Sequence, residues 1–171
     1  SNISLSYLPI GNRVKLRLTA TGENLENLET DLDQEIEKLK PLIQEKVISW
    51  SGNEIHEILK EILTNRKLSL STAESCTGGE LAKLLTSVSG SSKYFLGGVI
   101  TYEAQKKVQI LDVSEKTISE KTTVSEEVAQ EMSFGCQQLF QTDISLSTTG
   151  VSGPNTDEFN NEIGTVFYSI R

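Results

Sequence analysis

The sequence predicts an α/β protein: a small α+β module over residues 1–50, followed by a three-layer α/β/α domain over residues 53–171. Three observations lead there. From Asn53 onward, helix-like and strand-like hydrophobic spacings alternate along the chain, the pattern of helices layered on a mostly parallel sheet. Clusters of glycine and hydroxyl residues fall at the predicted strand ends, where sheets of this type bind their ligands. The composition, 36% hydrophobic and 23% charged over 171 residues, is that of a chain able to bury a core without disulfide or metal staples.

In the first module, Val14, Leu16 and Leu18 alternate with Lys15, Arg17 and Thr19 as a strand. Leu25, Leu28, Leu32, Ile36 and Leu39 trace one helix face until Pro41, which ends or kinks the helix. A second strand over Val47–Trp50 would complete a strand–helix–strand unit too small to stand without a neighbour. Ser51-Gly52-Asn53 reads as the hinge, with Asn53 capping the next helix. That helix carries Ile55, Ile58, Leu59, Ile62 and Leu63 to about Asn65. There follow a strand near Leu68–Ser71, a helix from Thr77, a strand over Leu96–Thr101, and further helices. Thr123-Val124-Ser125-Glu126 has the spacing of a capping box ahead of Val128, Ala129, Met132, Cys136 and Leu139. Ile144 and Leu146 alternate with Ser145 and Ser147 in another strand, and Gly164–Ile170 is the last. Asn155–Glu162 is polar enough to be a mobile loop.

Charge and cysteine usage narrow the function. A net charge of −8, without clustered Lys and Arg beyond Arg13, Lys15 and Arg17, argues against nucleic acid as a partner. No apolar run is long enough for a membrane span or a signal peptide, which places the protein in the cytoplasm. Cys76 and Cys136 lie in unrelated contexts and read as free thiols. A Ser-His-Asp triad would have to take its base from His56, the single histidine, which reads as a surface residue of a helix.

Chemistry concentrates in three segments: Glu74–Gly79, Gly97–Lys107 and Thr148–Pro154. Any one alone reads as a set of small residues in tight turns. Three together point to a site. Ser75 and Cys76 sit where a strand hands over to a helix, and a nucleophile there needs a proton acceptor. With no usable histidine, a lysine whose pKa is lowered by burial fills that role. Spacing alone does not choose between Lys106 and Lys107, nor between Ser75 and Cys76. Thr148-Thr149-Gly150-Val151-Ser152-Gly153-Pro154 departs from a nucleophile elbow and reads as a ligand-binding loop for phosphate or ribose.

In order and spacing, Thr72-Ala73-Glu74-Ser75-Cys76-Thr77-Gly78-Gly79, Gly98-Val99-Ile100-Thr101-Tyr102 with Lys107, Thr149-Gly150-Val151-Ser152-Gly153-Pro154 and Gly164-Thr165-Val166 resemble the CinA C-terminal domain, the nicotinamide mononucleotide (NMN) deamidase family. The resemblance runs from Asn53 to the end. The first fifty residues, with Gly11–Thr19, are similar to the KH-type linker domain of competence/damage-inducible CinA proteins, although they lack a GxxG loop.

The resemblance implies a fragment of a longer, homo-oligomeric protein, without the N-terminal nucleotide-hydrolysing CinA domain and the C-terminal helices, one of which bears an arginine of the family site. It implies an amidohydrolase of pyridine-nucleotide salvage that converts NMN to nicotinate mononucleotide and ammonia. Ser75 is then the nucleophile, Lys107 the base, since the family places its lysine five residues beyond the tyrosine, and Tyr102 assists. Glu74, Thr77, Gly78, Gly79, Gly98, Thr149, Gly150, Ser152 and Gly153 are the implied substrate contacts, with NH groups near Thr77 and Gly78 holding the oxyanion. No metal and no cofactor is implied. Family members carry a Pro-Asp-Gly-Gly type loop where this chain has Pro154-Asn155-Thr156-Asp157-Glu158, so contacts there are expected to differ. The competing expectation is a non-catalytic nucleotide-binding or scaffold module, which needs only backbone NH groups and shape.

Overall fold

A computed structural model describes residues 2–157 and 159–171. The chain divides into two compact units, Ser1–Glu54 and Ile55–Arg171. Glu158, part of the loop expected to be mobile, lies outside the described residues.

The first unit is a β-hairpin and a helix. Strands β1 (Asn2–Ile10) and β2 (Arg13–Thr21) pair antiparallel, with Ile10 opposite Arg13 across a two-residue turn. Gly11 occupies that turn at φ 59°, the left-handed region that a hairpin loop of this length demands. Helix α1 (Leu25–Ile43) starts at Asn24, whose side chain accepts from the Asn27 NH. The helix continues past Pro41, because a proline in the last turn removes only one backbone bond near an end that is already short of partners. The strand expected over Val47–Trp50 is absent; a 3₁₀ turn (Gln44–Lys46) and irregular chain take its place. The second strand of this unit is instead β1, so its order is β-β-α. None of the described residues of this unit is fully buried.

The second unit begins with α2 (Ile55–Arg66) and builds a four-stranded sheet in the order β4-β3-β5-β6. Strands β3 (Leu70–Glu74), β4 (Phe95–Ile100) and β5 (Ile144–Gly150) run parallel, and β6 (Val166–Ile170) lies antiparallel on β5. The helices are α3 (Glu80–Thr86), α4 (Ala104–Leu111), α5 (Glu115–Lys121) and α6 (Glu126–Phe140). On one face Leu70 packs with Leu63 of α2, Leu85 of α3 and Tyr94. On the other, Ala73 packs with Leu111 of α4 and with Val128, Met132 and Cys136 of α6. Those two clusters make the three layers.

Strand alternation is broken once, to useful effect. Leu70 pairs with Phe95 but Ser71 pairs with Gly97, so Leu96 is an extra residue in β4. The bulge lets Phe95 join the α2/α3 face while Val99, four residues on, joins the opposite core.

The serines of β5 and β3 also depart from expectation. Apolar-in, polar-out alternation would expose Ser71, Ser145 and Ser147, yet all three are fully buried. They face α6, which comes close to the sheet because the intervening side chains are small. Ser145 Oγ donates to the Ser133 carbonyl at 2.7 Å and Ser147 Oγ to the Ala129 carbonyl at 2.6 Å, so the hydroxyls are satisfied by the helix they pack on. The N-cap of α6 is Ser125 rather than Thr123: Ser125 is extended, and its Oγ accepts from the Val128 NH at 3.3 Å. The Thr123 carbonyl instead accepts from Thr149 Oγ1 at 2.8 Å.

Candidate active site

Period-two alternation along β3 sends Leu70, Thr72 and Glu74 to the α2/α3 side and Ser71, Ala73 and Ser75 toward α4 and α6. Glu74 and Ser75 therefore serve opposite faces. The Glu74 side chain, 1% exposed, turns under the start of α3 and accepts from the NH groups of Gly79 (3.0 Å), Leu81 (3.0 Å) and Ala82 (2.8 Å). A carboxylate at a helix start answers both the unpaired NH groups and the positive end of the helix dipole. This also explains why α3 begins at Glu80 rather than Thr77: Gly79, at φ 102°, and the side-chain cap fix the first turn. Replacing Glu74 by Gln puts an amide donor against NH groups and is expected to lower stability by about 2 kcal/mol. The readout is the urea midpoint at unchanged denaturant slope; an unmoved midpoint would contradict the anchoring role.

Ser75, 6% exposed, is held by its NH on the Thr148 carbonyl at 3.1 Å. Its hydroxyl oxygen lies 3.0 Å from the Lys107 amine. Lys107, on the first turns of α4, is 2% exposed, and its Nζ also donates to the carbonyls of Thr101 at 2.8 Å and Tyr102 at 3.2 Å. Burial lowers its pKa from the ordinary lysine range to about 8, against smaller opposing pulls from Cys76 and Glu103. The two backbone carbonyls have a consequence for a neutral amine. They accept its two hydrogens, which leaves the nitrogen lone pair for the Ser75 hydroxyl. Lys106, the alternative in sequence, points elsewhere and donates to Gln109 Oε1 at 2.7 Å.

Cys76 is half-buried beside this pair. Burial raises its thiol pKa, and the NH groups of Cys76 and Thr77, directed at the sulfur, oppose that rise. The neighbouring NH groups are engaged otherwise: Gly78 NH donates to the Ser75 carbonyl at 3.1 Å and Gly79 NH to Glu74. The Gly78 NH expected to hold an oxyanion is thus taken, and of this turn the NH groups of Cys76 and Thr77, beside the Cys76 sulfur, are left as candidates for that role.

A cleft of about 430 Å³ opens over the pair. Of the residues expected at the site, Ser75, Tyr102, Lys107, Thr149, Gly150, Ser152 and Gly153 line it. Glu74, Thr77, Gly78, Gly79 and Gly98 do not. Thr77 Oγ1 bonds Thr148 Oγ1 at 2.8 Å, and a Cβ on Gly98 would overlap the Thr72 hydroxyl, so that glycine allows close strand packing. The Tyr102 side chain is 71% exposed, and its link to Lys107 runs through its carbonyl rather than its phenol. Glu103, Thr123 and Val124, to which sequence reasoning gave no role at the site, also line it, as do Asn155, Thr156 and Asp157 of the loop where contacts were expected to differ. Asp157 accepts from the NH groups of Phe159 and Asn161 and from Asn161 Nδ2, and Asn161 Nδ2 also donates to Thr122 Oγ1 at 3.1 Å, tying the two walls together. Those residues sit in loops far apart in sequence, where only the fold reveals their meeting. His56 is not part of the lining.

Fold and site together define an α/β protein with a buried serine–lysine pair under a cleft at the strand ends. Residues 52–171 match the CinA C-terminal domain. This chain belongs to the CinA family. A CinA-like protein of Flavobacterium psychrophilum is 42% identical over 169 residues, covering 98% of this chain and 40% of that protein. Another, of Chloroherpeton thalassium, is 40% identical over 151 residues, covering 88% of this chain and 36% of that protein. The crystal structure of a competence-damaged protein (CinA) superfamily protein from Escherichia coli aligns with a TM-score of 0.66 at 36% identity, covering 67% of each chain. That of a competence/damage inducible protein from Agrobacterium tumefaciens aligns with a TM-score of 0.65 at 31% identity, covering 70% of this chain and 74% of that one. The chain spans about 40% of the length of the curated relatives it matches. Among the described residues no helix is long and apolar enough to cross a membrane.

Proposed function

We propose that the second unit is an amidohydrolase that converts NMN to nicotinate mononucleotide and ammonia, within cytoplasmic pyridine-nucleotide salvage. The observation that carries this reading is the Lys107 amine, buried, low in pKa and 3.0 Å from Ser75 Oγ, with its hydrogens committed to two carbonyls. Neutral Lys107 takes the Ser75 proton as Oγ bonds to the carboxamide carbon. The oxygen of that carbon gains negative charge and faces the NH groups of Cys76 and Thr77. Lys107 returns the proton to the nitrogen, the C–N bond breaks and ammonia leaves, with the nicotinoyl group as an ester on Ser75. Water then attacks the ester, giving its proton to Lys107. The carboxylate departs, and the proton restores the Ser75 hydroxyl.

Thr149, Ser152, Asn155 and Thr156 supply neutral polar groups for the ribose and phosphate along the cleft. The start of α3 is not available for phosphate, because Glu74 occupies it. Tyr102, exposed at the lip, offers an aromatic face to the substrate ring.

The test is ammonia release from NMN by the full-length protein that carries this chain, compared with its Ser75→Ala variant. Release is expected to fall by at least about a thousandfold, with NMN still bound. Binding of NMN without release by the unaltered protein would leave a nucleotide-binding module and end the catalytic reading.

A further inference from the structure

The charges lining the cleft are few and unequal. Among the described residues that line it, Lys107 is the cation, buried and turned toward Ser75, and Glu103 and Asp157 are the anions. Asp157 is committed, accepting from two backbone NH groups and one side-chain amide of its own loop. Glu103 is not; its carboxylate acts on Lys107 only at a distance, as a Coulombic pull that raises the amine's pKa against burial. It is the residue before α4, extended at φ −88° and ψ 146°, and its side chain makes no cap bond to the helix. Its backbone carbonyl holds the start of the helix, accepting from the NH groups of Lys106 and Lys107. Among the described residues its carboxylate has no hydrogen-bond or ion-pair partner. An exposed carboxylate is thus left at the cleft, four residues before Lys107 in the chain.

We propose that Glu103 is a specificity-determining residue, whose free carboxylate selects amides carried on a positively charged ring over the same amides on a neutral ring. The inference rests on the amidohydrolase reading and refines its substrate class. A pyridinium ring whose carboxamide reaches Ser75 places its ring charge a few ångströms from the amide carbon, within Coulomb range of a carboxylate at the mouth. Water at the rim screens the pair, so the selection is moderate rather than absolute.

The test uses two ligands that share phosphoribose and carboxamide and differ in ring charge: NMN and its 1,4-dihydro form, whose ring is neutral. Their amides differ in intrinsic reactivity, so the informative quantity is how Glu103→Gln changes each. Any change in the Lys107 pKa on loss of Glu103 is shared by both ligands, so the ratio of kcat/KM for NMN to that for the dihydro form is the measure, and it is expected to fall by about tenfold, mostly through the KM of NMN. Binding provides a second readout that needs no turnover. Ser75→Ala protein should bind NMN more tightly than the dihydro form, and Ser75→Ala/Glu103→Gln protein should lose that preference. Equal losses on both ligands, or no loss on either, would overturn the role of Glu103. The amidohydrolase reading fails on a different result, binding of NMN by the unaltered protein with no release of ammonia. Absence of binding of both ligands to Ser75→Ala protein would remove both proposals together.

Discussion

Replacement of Lys107 by Met is expected to reduce NMN hydrolysis by about a thousandfold or more, with the fall in kcat rather than KM. Met keeps the length and apolar body of the side chain while removing the nitrogen that faces Ser75 Oγ at 3.0 Å. The pH dependence of the unaltered protein carries the same argument. Only the neutral amine accepts a proton, and burial brings its pKa down to about 8. At pH 7 roughly one site in ten is then competent, against about one in a few thousand for an ordinary lysine. The rate should rise close to tenfold per pH unit below that pKa and level off above it. The same shift has a stability counterpart of definite sign. The unfolded chain binds this proton more tightly than the folded one, so the contribution of Lys107 to stability grows as pH rises from about 8 toward the ordinary lysine value. A pH–rate profile flat from about pH 6 to about pH 9 would remove Lys107 as the base.

Gly135→Ala tests the scaffold with comparable force, because two effects predict opposite signs. In a helix interior, alanine is favoured over glycine by about 1 kcal/mol. Against this, a Cβ at Gly135 would overlap the carbonyl, carbonyl carbon and Cα of Leu111, the last residue of α4. Those are backbone atoms and cannot swing away as a side chain does. Overpacking of this kind costs typically 1–3 kcal/mol and occasionally more, and with direct backbone overlap the upper part of that range applies. The expected result is a net loss of about 2 kcal/mol, read as a fall in Tm of about 4–8 °C for a protein of this size. Lys107 lies one turn before Leu111 on α4, so kcat should fall with stability as the amine is displaced from Ser75. A Tm equal to or above that of the unaltered protein would show that α4 and α6 separate freely at this contact.

What the sequence made legible follows from where the physics is local. Ile144 and Leu146, alternating with Ser145 and Ser147, announced β5 through spacing alone. The hairpin strand β1 had a signal that went unread, the alternation of Ile3, Leu5 and Tyr7 ahead of Gly11-Asn12. The strand expected over Val47–Trp50 shows the opposite error, a short apolar run with too little length to decide its own conformation. Burial of Ser71, Ser145 and Ser147 was invisible, because it depends on partners distant in the chain: α6 carbonyls for Ser145 and Ser147, the Cys136 thiol and the Thr142 hydroxyl for Ser71. At the site, the nucleophile and base candidates were visible as residue types, and the choice of Lys107 came from resemblance. Its geometric basis, the Thr101 and Tyr102 carbonyls, involves backbone atoms that no residue letter reports. Glu74 was expected at the substrate and is found capping α3, since a one-residue offset along a strand reverses the face.

That offset governs how the segment can change over time. Glu74 anchors α3 behind the sheet and Ser75 meets Lys107 in front of it, and only their consecutive order on a strand keeps both in place. A substitution in Leu70–Ala73 alters packing at one point. Insertion or deletion of a single residue there exchanges the two faces at once, setting a carboxylate against a buried amine and a hydroxyl beneath the unpaired start of a helix. The length of this strand is therefore under tighter constraint than its spelling, and lineages that keep the chemistry can drift in composition here while their alignments stay free of gaps.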